Sequence, residues 1–327
     1  MKIERKTAEQ ILAALNKAQN ILIISHRNPD ADTIGSNLAL RLFLEQKGKT
    51  VTSACVSEVA PICSFLPHST EFVTDFKVSS FDLFISVDCG STSQANFPDS
   101  KPELLKGKIP FINIDHHPSN NNFGSINLVA DMAASTTIIV YNLFKIWKAE
   151  ITTDMATCLL YGLYYDTGSF MHSNTDAEVY ETAAALLELG ASRNLIIENL
   201  YKNQTEEKFK ILGMVLAGTQ LSESFVAISA IREEDLNSCN AKIQDVSGAI
   251  DYLSMVKGSK FAALLTEDSE GNIRGSLRTR RNDLNVSEIA ESLGGGGHKK
   301  ASGFTIKGRL QREIHWSVKP NSDTLGP

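Results

Sequence analysis

The sequence predicts an α/β protein in which a parallel-sheet domain is followed by a smaller α/β domain. Over the first half of the chain, apolar runs rich in β-branched residues alternate with helical patterns, as in parallel sheets with helical crossovers. After about residue 220 the pattern changes, and a second set of predicted strands and helices begins. The length of 327 residues also favours two domains, at roughly 150 residues per domain.

The first part begins with a helix that has Thr7 as its expected N-cap and ends near residue 18. The continuous apolar run Ile21–Ser25 is typical of a strand buried on both faces. A helix over about Thr33–Lys47 follows and is stopped by Gly48. Further strands are predicted at Thr50–Val56, Leu83–Val87 and Pro110–Ile114, and further helices at Ser135–Trp147, Thr153–Tyr165, Asp176–Leu189 and Ser192–Leu200.

A connecting helix is predicted over about Thr205–Gln220, and the second α/β domain follows it. The predicted strands of that domain are Phe225–Ile231, Phe261–Thr266, Ile273–Arg278 and Ala301–Ile306, and its predicted helices are Asp245–Val256 and Asn285–Leu293. These patterns predict a first domain over residues 1–190, a helical linker over 191–221, a second domain over 222–316 and a flexible tail over 317–327.

Composition excludes several classes of protein. The chain is 42% hydrophobic but has no apolar run of about 18 residues, so no membrane span is expected. The charged start of the chain lacks the apolar segment of a signal peptide. The five cysteines are scattered and never form a C-x-x-C pair, which argues against a disulfide framework or a thiolate zinc site. We therefore expect a soluble cytoplasmic protein without a membrane partner.

The distribution of charge limits the kind of nucleic acid that the chain could bind. The net charge of −6 resides entirely in residues 1–221, whereas the remainder of the chain is balanced. A protein that tracks long nucleic acid is expected to be strongly basic. Any nucleotide partner is therefore expected to be short.

Four segments bring together acidic and imidazole groups that could carry out chemistry. Three of them follow apolar runs, and the carboxyl ends of parallel strands meet at the sheet edge where ligands bind. The fourth ends a predicted apolar helix. A single aspartate such as Asp32 is usually a turn former or an N-cap, but several carboxylates crowded at one edge resist ionisation unless cations hold them. The residues are His26, Asp30, Asp32, Asp88, Asp115, His116, His117 and Asp166.

The mixture of ligand types predicts the kind of metal. Carboxylate and imidazole without thiolate suit Mn²⁺, Fe²⁺, Co²⁺ or Zn²⁺ better than an all-oxygen Mg²⁺ site. Two divalent cations about 3.5–4 Å apart would share one carboxylate and turn a shared water into hydroxide for attack on phosphorus. Because four aspartates already balance two such cations, a substrate phosphate needs positive charge from elsewhere in the chain.

The glycine-rich segment Gly294–Gly303 of the second domain could supply anion-binding groups, because bare glycine backbone lets amide groups approach a phosphate closely. A flexible linker is the alternative interpretation, and it is disfavoured because a helix precedes the run and a strand follows it. Of the arginines just upstream, only Arg278 is expected to contact a substrate, and the others are expected to be solvated. These others are Arg274, Arg280 and Arg281.

At these residues the chain resembles the DHH/DHHA1 phosphoesterase family, and within it the oligoribonucleases of the NrnA type. The resemblance covers nearly the whole chain and includes five motifs in order. They are His26–Asp32 with Gly35 and Ser36, Asp88, Asp115–His117, Asp166–Gly168 and Gly294–Gly303. The resemblance implies a DHH catalytic domain, a DHHA1 substrate-binding domain and an active site in the cleft between them.

The resemblance also implies a role for each residue. One Mn²⁺ would be held by His26 and Asp30, the second by Asp32, His116 and Asp166, and both by a bridging Asp88. Asp115 would orient a ligand histidine, and His117 would stabilise charge on the substrate phosphate. The terminal phosphate and the nucleotide would be held by Arg278, Gly296, Gly297 and His298. Mg²⁺, Co²⁺ or another divalent ion could replace manganese.

The function implied is hydrolysis of short RNA or DNA oligonucleotides and dinucleotides, and of 3′-phosphoadenosine 5′-phosphate. Three alternatives stay open: a phosphodiesterase related to cyclic-dinucleotide turnover, a manganese pyrophosphatase and a non-catalytic nucleotide-binding protein. The pyrophosphatases share the first four motifs but have a different C-terminal domain. A homodimer is the expected assembly if the chain associates.

Overall fold

The computed structural model describes residues 3–202 and 204–313. The chain divides between residues 204 and 205 into two compact units, which we call unit 1 and unit 2. The predicted tail over 317–327 and the last three residues of the predicted second domain lie outside the described residues. The domain boundaries at 190 and 221, and an active site in a cleft between domains, stay predictions.

Unit 1 is built on a parallel sheet, as the sequence predicts. Its five strands have the order β2-β1-β3-β4-β5, and every neighbouring pair is parallel. The strands are β1 (Asn20–Ile24), β2 (Thr50–Ala54), β3 (Leu83–Val87), β4 (Phe111–Asp115) and β5 (Ile126–Val129). The sequence did not predict β5, a four-residue edge strand that is only partly buried.

Eight helices belong to unit 1 within the described residues. They are α1 (Arg5–Lys17), α2 (Ala31–Gln46), α3 (Thr92–Ala95), α4 (Phe97–Ser100), α5 (Thr136–Trp147), α6 (Thr153–Asp166), α7 (Ala177–Glu188) and α8 (Arg193–Ile197). Short 3₁₀ turns lie at Pro61–Cys63, Val78–Ser80 and Pro102–Leu105, and a π turn at Glu198–Lys202 continues α8. Thr7 is not an N-cap, because α1 begins at Arg5.

The sheet of unit 1 is buried on both faces, which explains the unbroken apolar run of β1. Ile21 and Ile23 pack into the core on one face, together with α2, α5 and α6. Leu22 and Ile24 point the other way and pack into a second, smaller core. Because successive side chains of a strand alternate between the faces, only a continuous apolar run can fill both.

Unit 2 has a mixed sheet with the order β10-β11-β9-β8-β7-β6. Only β7 and β8 pair in parallel, and the other neighbouring strands are antiparallel. The strands are β6 (Gln220–Leu221), β7 (Val226–Ile231), β8 (Phe261–Glu267), β9 (Asn272–Arg278), β10 (Gly296–His298) and β11 (Ala301–Lys307). The prediction of a second α/β unit is confirmed, although the short strands β6 and β10 were not predicted.

The helices of unit 2 cover its sheet. They are α9 (Glu206–Ala217), α10 (Glu233–Ser238), α11 (Ala249–Leu253) and α12 (Val286–Ser292), with a 3₁₀ turn at Ile243–Val246. The predicted connecting helix corresponds to α9, and its Ile211 and Val215 are fully buried in the core of unit 2. No helix in the described ranges is long and apolar enough to cross a membrane. All five cysteines are buried free thiols.

Candidate metal centre

Three neighbouring strands of unit 1 deliver acidic and imidazole groups to one edge of the sheet. β1, β3 and β4 are adjacent and parallel, so their carboxyl ends lie side by side. His26 follows the end of β1 by two residues, Asp88 directly follows β3, and Asp115 is the last residue of β4. The topology therefore brings together segments that are separated by up to about ninety residues of chain.

Asp88 lies at the centre of this cluster. Its Oδ2 is 3.5 Å from His26 Nε2, and its Oδ1 is 3.5 Å from His116 Nε2. Three triads of possible ligands that contain Asp88 have all of their donor atoms within 4.8 Å of one another. They are His26, Asp30 and Asp88; Asp32, Asp88 and His116; and Asp88, Asp115 and His117. This is the arrangement needed for one carboxylate to be shared by two cations.

Asp88 is held in an unusual backbone conformation. Its φ is +58°, in the left-handed region that residues other than glycine, asparagine and aspartate seldom adopt. Its amide donates to the carbonyl oxygen of Ile114 on β4, 2.9 Å away. The hydroxyl of Thr136 donates to Asp88 Oδ1 over 3.0 Å. These bonds fix a carboxylate that is only 2% exposed.

Asp30 and Asp32 both lie at the start of α2 but have different environments. Asp30 is the N-cap: its Oδ1 accepts from the amides of Asp32 (3.0 Å) and Thr33 (3.1 Å). Burial works to raise the pKa of Asp30, but its interaction with His26 and these amide bonds outweigh burial, and the pKa lies below its usual range. Because Asp30 caps the helix, α2 begins two residues earlier than the sequence predicts.

Asp32 is fully buried and accepts two bonds from another helix. The amides at the start of α5 donate to it, Thr136 to Oδ2 over 2.6 Å and Thr137 to Oδ1 over 3.0 Å. Burial, and then the neighbouring carboxylate of Asp88, nevertheless raise the pKa of Asp32 well above its usual value. A nearby cation would remove this penalty.

Two glycines allow α2 and α6 to cross closely beside Asp32. A Cβ at Gly162 of α6 would lie 2.9 Å from Asp32 Cα and 2.5 Å from Thr137 Cγ2. A Cβ at Gly35 of α2 would clash with the carbonyl oxygen of Cys158. Only glycine leaves room for this crossing, so the position of Asp32 depends on a residue far from it in the sequence.

Asp166, the last residue of α6, completes the cluster. Its Oδ2 is 3.3 Å from His116 Nε2. A carboxylate at a helix C-terminus faces the negative end of the helix dipole, which disfavours its charge. A cation bound beside Asp166 would compensate for this effect.

The two histidines beside Asp88 are oriented through their second ring nitrogen. His26 Nδ1 is 2.9 Å from the carbonyl oxygen of Arg27, and His116 Nδ1 is 3.2 Å from that of Ala133. A carbonyl oxygen only accepts, so Nδ1 carries the proton in both rings and Nε2 faces the carboxylates. Burial lowers the pKa of His26, but Asp30 and Asp88 outweigh it and raise the pKa well above 6.5.

His117 is held by a different carboxylate. Its Nδ1 donates to Oδ1 of the fully buried Asp115 over 2.7 Å, and Asn120 Nδ2 donates to Asp115 Oδ2 over 2.6 Å. Burial disfavours charge on His117, but Asp115 and then Asp88 outweigh it and raise the pKa to about 9. Asp115 therefore orients His117, whereas Ala133 orients His116.

The residues of this cluster fit two divalent cations. Asp88 and five nearby residues offer oxygen and imidazole donors, and His26 and His116 approach Asp88 from its two different carboxylate oxygens. Without a cation, the negative charge of Asp88 disfavours ionisation of the buried Asp32, as the raised pKa of Asp32 indicates. Cys89 belongs to none of the possible ligand groups among the described residues, and burial raises the pKa of its thiol to about 12. The donor set is thus the oxygen and imidazole mixture typical of a two-metal site.

In unit 2, Arg278 and His298 lie in one row across the sheet. Arg278 on β9 is opposite Ala301 on β11, which is opposite His298 on β10. Directly opposed residues of antiparallel strands have side chains on the same face, so Arg278 and His298 share a face about 10 Å apart. Arg278 Nε also donates to Asp251 Oδ1 over 2.9 Å.

The expected glycine loop is a β-hairpin. Gly296–His298 forms β10, which pairs with the start of β11. Gly297 has a φ of +140°, and a Cβ there would lie 2.7 Å from the Ala301 carbonyl oxygen, so this position requires glycine. A Cβ at Gly296 would meet nothing within 4 Å in the described residues. The backbone of Gly296 is therefore open to a ligand.

Sequence reasoning missed three residues that hold the site together. Thr136 and Thr137 supply the amides that bind Asp32, and Asn120 holds Asp115. The sequence does contain a pattern that could have identified Thr136 and Thr137. Ser135-Thr136-Thr137 has the composition of a helix N-terminus, and helix N-termini bind anions. Asn120 lies five residues after Asp115 in a loop, and no local pattern distinguishes it from a turn residue.

Family models match most of the chain. The model of the DHH family N-terminal domain matches residues 20–163, and the DHHA1 domain matches residues 224–315. The first match covers the sheet of unit 1 and every predicted metal ligand except Asp166. The second covers Arg278 and the glycine-rich segment.

Individual relatives agree with these matches. The bifunctional oligoribonuclease and PAP phosphatase NrnA of Thermus thermophilus is 32% identical over 292 residues, which cover 88% of this chain and 84% of that protein. The crystal structure of an exopolyphosphatase-related protein from Bacteroides fragilis has a TM-score of 0.86 at 23% identity, covering 94% of this chain and 93% of the other. RecJ from Thermus thermophilus, crystallised with Mn²⁺, has a TM-score of 0.57 at 16% identity, covering 94% of this chain and 53% of RecJ. The two structural similarities concern the fold alone.

Proposed function

This chain belongs to the DHH/DHHA1 phosphoesterase family, and from that premise we propose that it is a metal-dependent phosphodiesterase that hydrolyses oligonucleotides of a few residues. 3′-Phosphoadenosine 5′-phosphate is proposed as a second substrate, in line with the two activities in the name of the Thermus thermophilus relative. The observation that carries the proposal is the position of Asp88 between His26 and His116, 3.5 Å from each.

The proposed ligand sets follow two of the three triads that contain Asp88. His26, Asp30 and Asp88 would hold one ion, and Asp32, Asp88, His116 and Asp166 the other. Mn²⁺ is the proposed ion, since the donors combine imidazole with carboxylate. When bound, two such ions supply Lewis-acid activation of water and neutralise phosphate charge.

The chain's own residues prepare this centre. Because the pKa of His26 is raised, cation binding there must displace a proton from Nε2, and the affinity is expected to increase with pH. The amides of Thr136 and Thr137 hold Asp32 in position before any cation arrives. Rigid ligands of this kind reduce the reorganisation needed at each turnover.

His117 is proposed to act on the substrate phosphate. Its pKa of about 9 keeps the ring protonated at neutral pH, so it presents a positive charge. Since Nδ1 donates to Asp115, Nε2–H is the group available to the phosphate oxygens. A charged donor in this position would stabilise the additional negative charge of the transition state.

Unit 2 is proposed to bind the nucleotide through Arg278, Gly296, Gly297 and His298. Arg278 and His298 share a sheet face, and the backbone of Gly296 is open. A guanidinium can bind phosphate through two parallel hydrogen bonds, and an open glycine lets amides approach the same group. The cytoplasmic location and the homodimer stay predictions.

The test is hydrolysis by the purified full chain with Mn²⁺. We expect turnover of a 5′-phosphorylated dinucleotide and of 3′-phosphoadenosine 5′-phosphate, and much slower turnover of a 20-mer. Asp88→Asn should abolish turnover, because the shared carboxylate loses its charge while its shape is kept. Faster hydrolysis of the 20-mer would overturn the length preference. Faster hydrolysis of pyrophosphate would favour a pyrophosphatase, and nucleotide binding without turnover would favour a binding protein.

A further inference from the structure

A polar cavity of unit 2 includes Arg278 but none of the other residues to which nucleotide binding is assigned. Its volume is about 360 Å³, and it is lined by the loop over residues 254–260 and by Arg278, Thr279 and Arg280. The Thr279 hydroxyl donates to the Lys260 carbonyl oxygen over 2.8 Å, which ties the end of β9 to this loop. The cavity is thus formed by segments that are held together.

The cavity is strongly basic. Lys257, Lys260, Arg278 and Arg280 line it, and none of its lining residues within the described part of the chain is acidic. Asp251 is the carboxylate bonded to Arg278, and it offsets one of the four charges. Because residues 222–327 carry equal numbers of acidic and basic side chains, this concentration of positive charge is local.

The backbone of the loop adds further donors. Gly258 has a φ of +87°, which turns the chain sharply after Lys257. The amides of Ser259 and Lys260 donate to the Val256 and Phe225 carbonyl oxygens, whereas those of Lys257 and Gly258 meet no protein acceptor among the described residues. Consecutive unused amides beside a left-handed turn form an anion-binding concavity.

We propose that this cavity binds a second phosphate of the substrate, one nucleotide beyond the phosphate held by Arg278. Arg278 ends β9 and Arg280 follows it by two residues, so at most about 7 Å of chain separates them and successive phosphates of one strand can reach both. The inference rests on the proposed function, because it takes the substrate to be an oligonucleotide. The cavity then favours a trinucleotide over a dinucleotide.

The test compares two substrates that differ by one nucleotide. In the full chain, Lys257→Ala combined with Arg280→Ala should raise KM for a 5′-phosphorylated trinucleotide about tenfold or more, as expected from the loss of charged hydrogen bonds. KM for the 5′-phosphorylated dinucleotide, and kcat for both, should stay unchanged. Lys307→Ala, at the exposed end of β11 on the same sheet, is the matched control and should change neither value.

Each other outcome decides against the proposal. An equal rise in KM for both substrates, or no rise for either, would show that the cavity does not bind the additional phosphate of the trinucleotide. If the wild-type protein hydrolyses no nucleotide, the proposed function is wrong. Calorimetric titration of the metal-free chain with inorganic phosphate then tests separately whether the cavity binds an anion. Binding that is weakened in the double variant but not in Lys307→Ala supports an anion site, and identical isotherms overturn it.

Discussion

Replacing Gly162 by alanine tests whether a close helix crossing determines the position of Asp32, a proposed metal ligand. The new Cβ would lie 2.9 Å from Asp32 Cα and 2.5 Å from Thr137 Cγ2, whereas ordinary contacts begin at about 3.4 Å. The backbone at Asp32 would therefore have to move by about 0.5 Å relative to α6. Neither neighbour can yield easily, because the Asp32 carboxylate is bonded to the amides of Thr136 and Thr137.

Two quantities should change in Gly162→Ala. Overpacking of a close-packed core costs about 1–3 kcal/mol, so the free energy of unfolding should fall by about that amount. Metal sites tolerate deviations of about 0.2 Å in ligand distance, so the affinity for Mn²⁺ should also fall, by about 10–100-fold. Urea unfolding of the metal-free protein and calorimetric titration with Mn²⁺ measure the two effects.

Gly213→Ala is the matched control. Gly213 lies within α9, and a Cβ there would meet nothing within 4 Å in the described residues. The same substitution should therefore stabilise the protein by about 0.5–1 kcal/mol, since alanine loses less backbone entropy on folding than glycine. If Gly162→Ala unfolds and binds Mn²⁺ like wild type, the crossing is looser than these distances require and the reasoning is wrong.

Three further predictions concern the groups around the centre and in unit 2. Asn120→Ala leaves one oxygen of buried Asp115 without its donor, so the free energy of unfolding should fall by about 1–3 kcal/mol in urea titrations. An unchanged unfolding midpoint would show that the hydrogen bond from Asn120 to Asp115 does not stabilise the protein. The free energy of unfolding of the metal-free protein should fall by on the order of 2–3 kcal/mol from pH 6.5 to 9, because the raised pKa of His117 stabilises the protonated ring only below about pH 9. Unfolding in the presence of a chelator measures this change. A stability that does not vary with pH argues against it. Arg278→Ala should raise KM for a dinucleotide about tenfold or more. Arg274, on the same strand beside Asp268, is the control, and Arg274→Ala should leave KM unchanged. Equal effects of the two variants would contradict a specific role of Arg278 in substrate binding.

Much of unit 1 could be predicted because its signals are local. The apolar run of β3 predicts its exact bounds, Leu83–Val87, and polar residues mark both of its ends. The strand ends then identify the positions where acidic and imidazole groups collect. Short edge strands such as β5 and β10 escape prediction, because they bury too little apolar surface to leave a periodic pattern.

The site itself was predicted as a set of residues but not as a geometry. His26, Asp88 and His116 each follow or end a predicted strand, and parallel topology requires them to meet at one edge. That Asp88 lies 3.5 Å from both histidines depends on its left-handed backbone and on the hydroxyl of Thr136. No pattern near residue 88 encodes a bond to residue 136.

By itself, the sequence of this protein determined which residue types follow each strand and that two α/β units carry them. The tertiary structure decided how those side chains are held: Asp32 by the amides of α5, Asp115 by Asn120, and the α2–α6 crossing by Gly162. The reason is physical. Periodicity and strand ends arise from neighbouring residues, whereas a ligand's final position is set by hydrogen bonds and contacts across about a hundred residues of chain, which exist only after the core has packed.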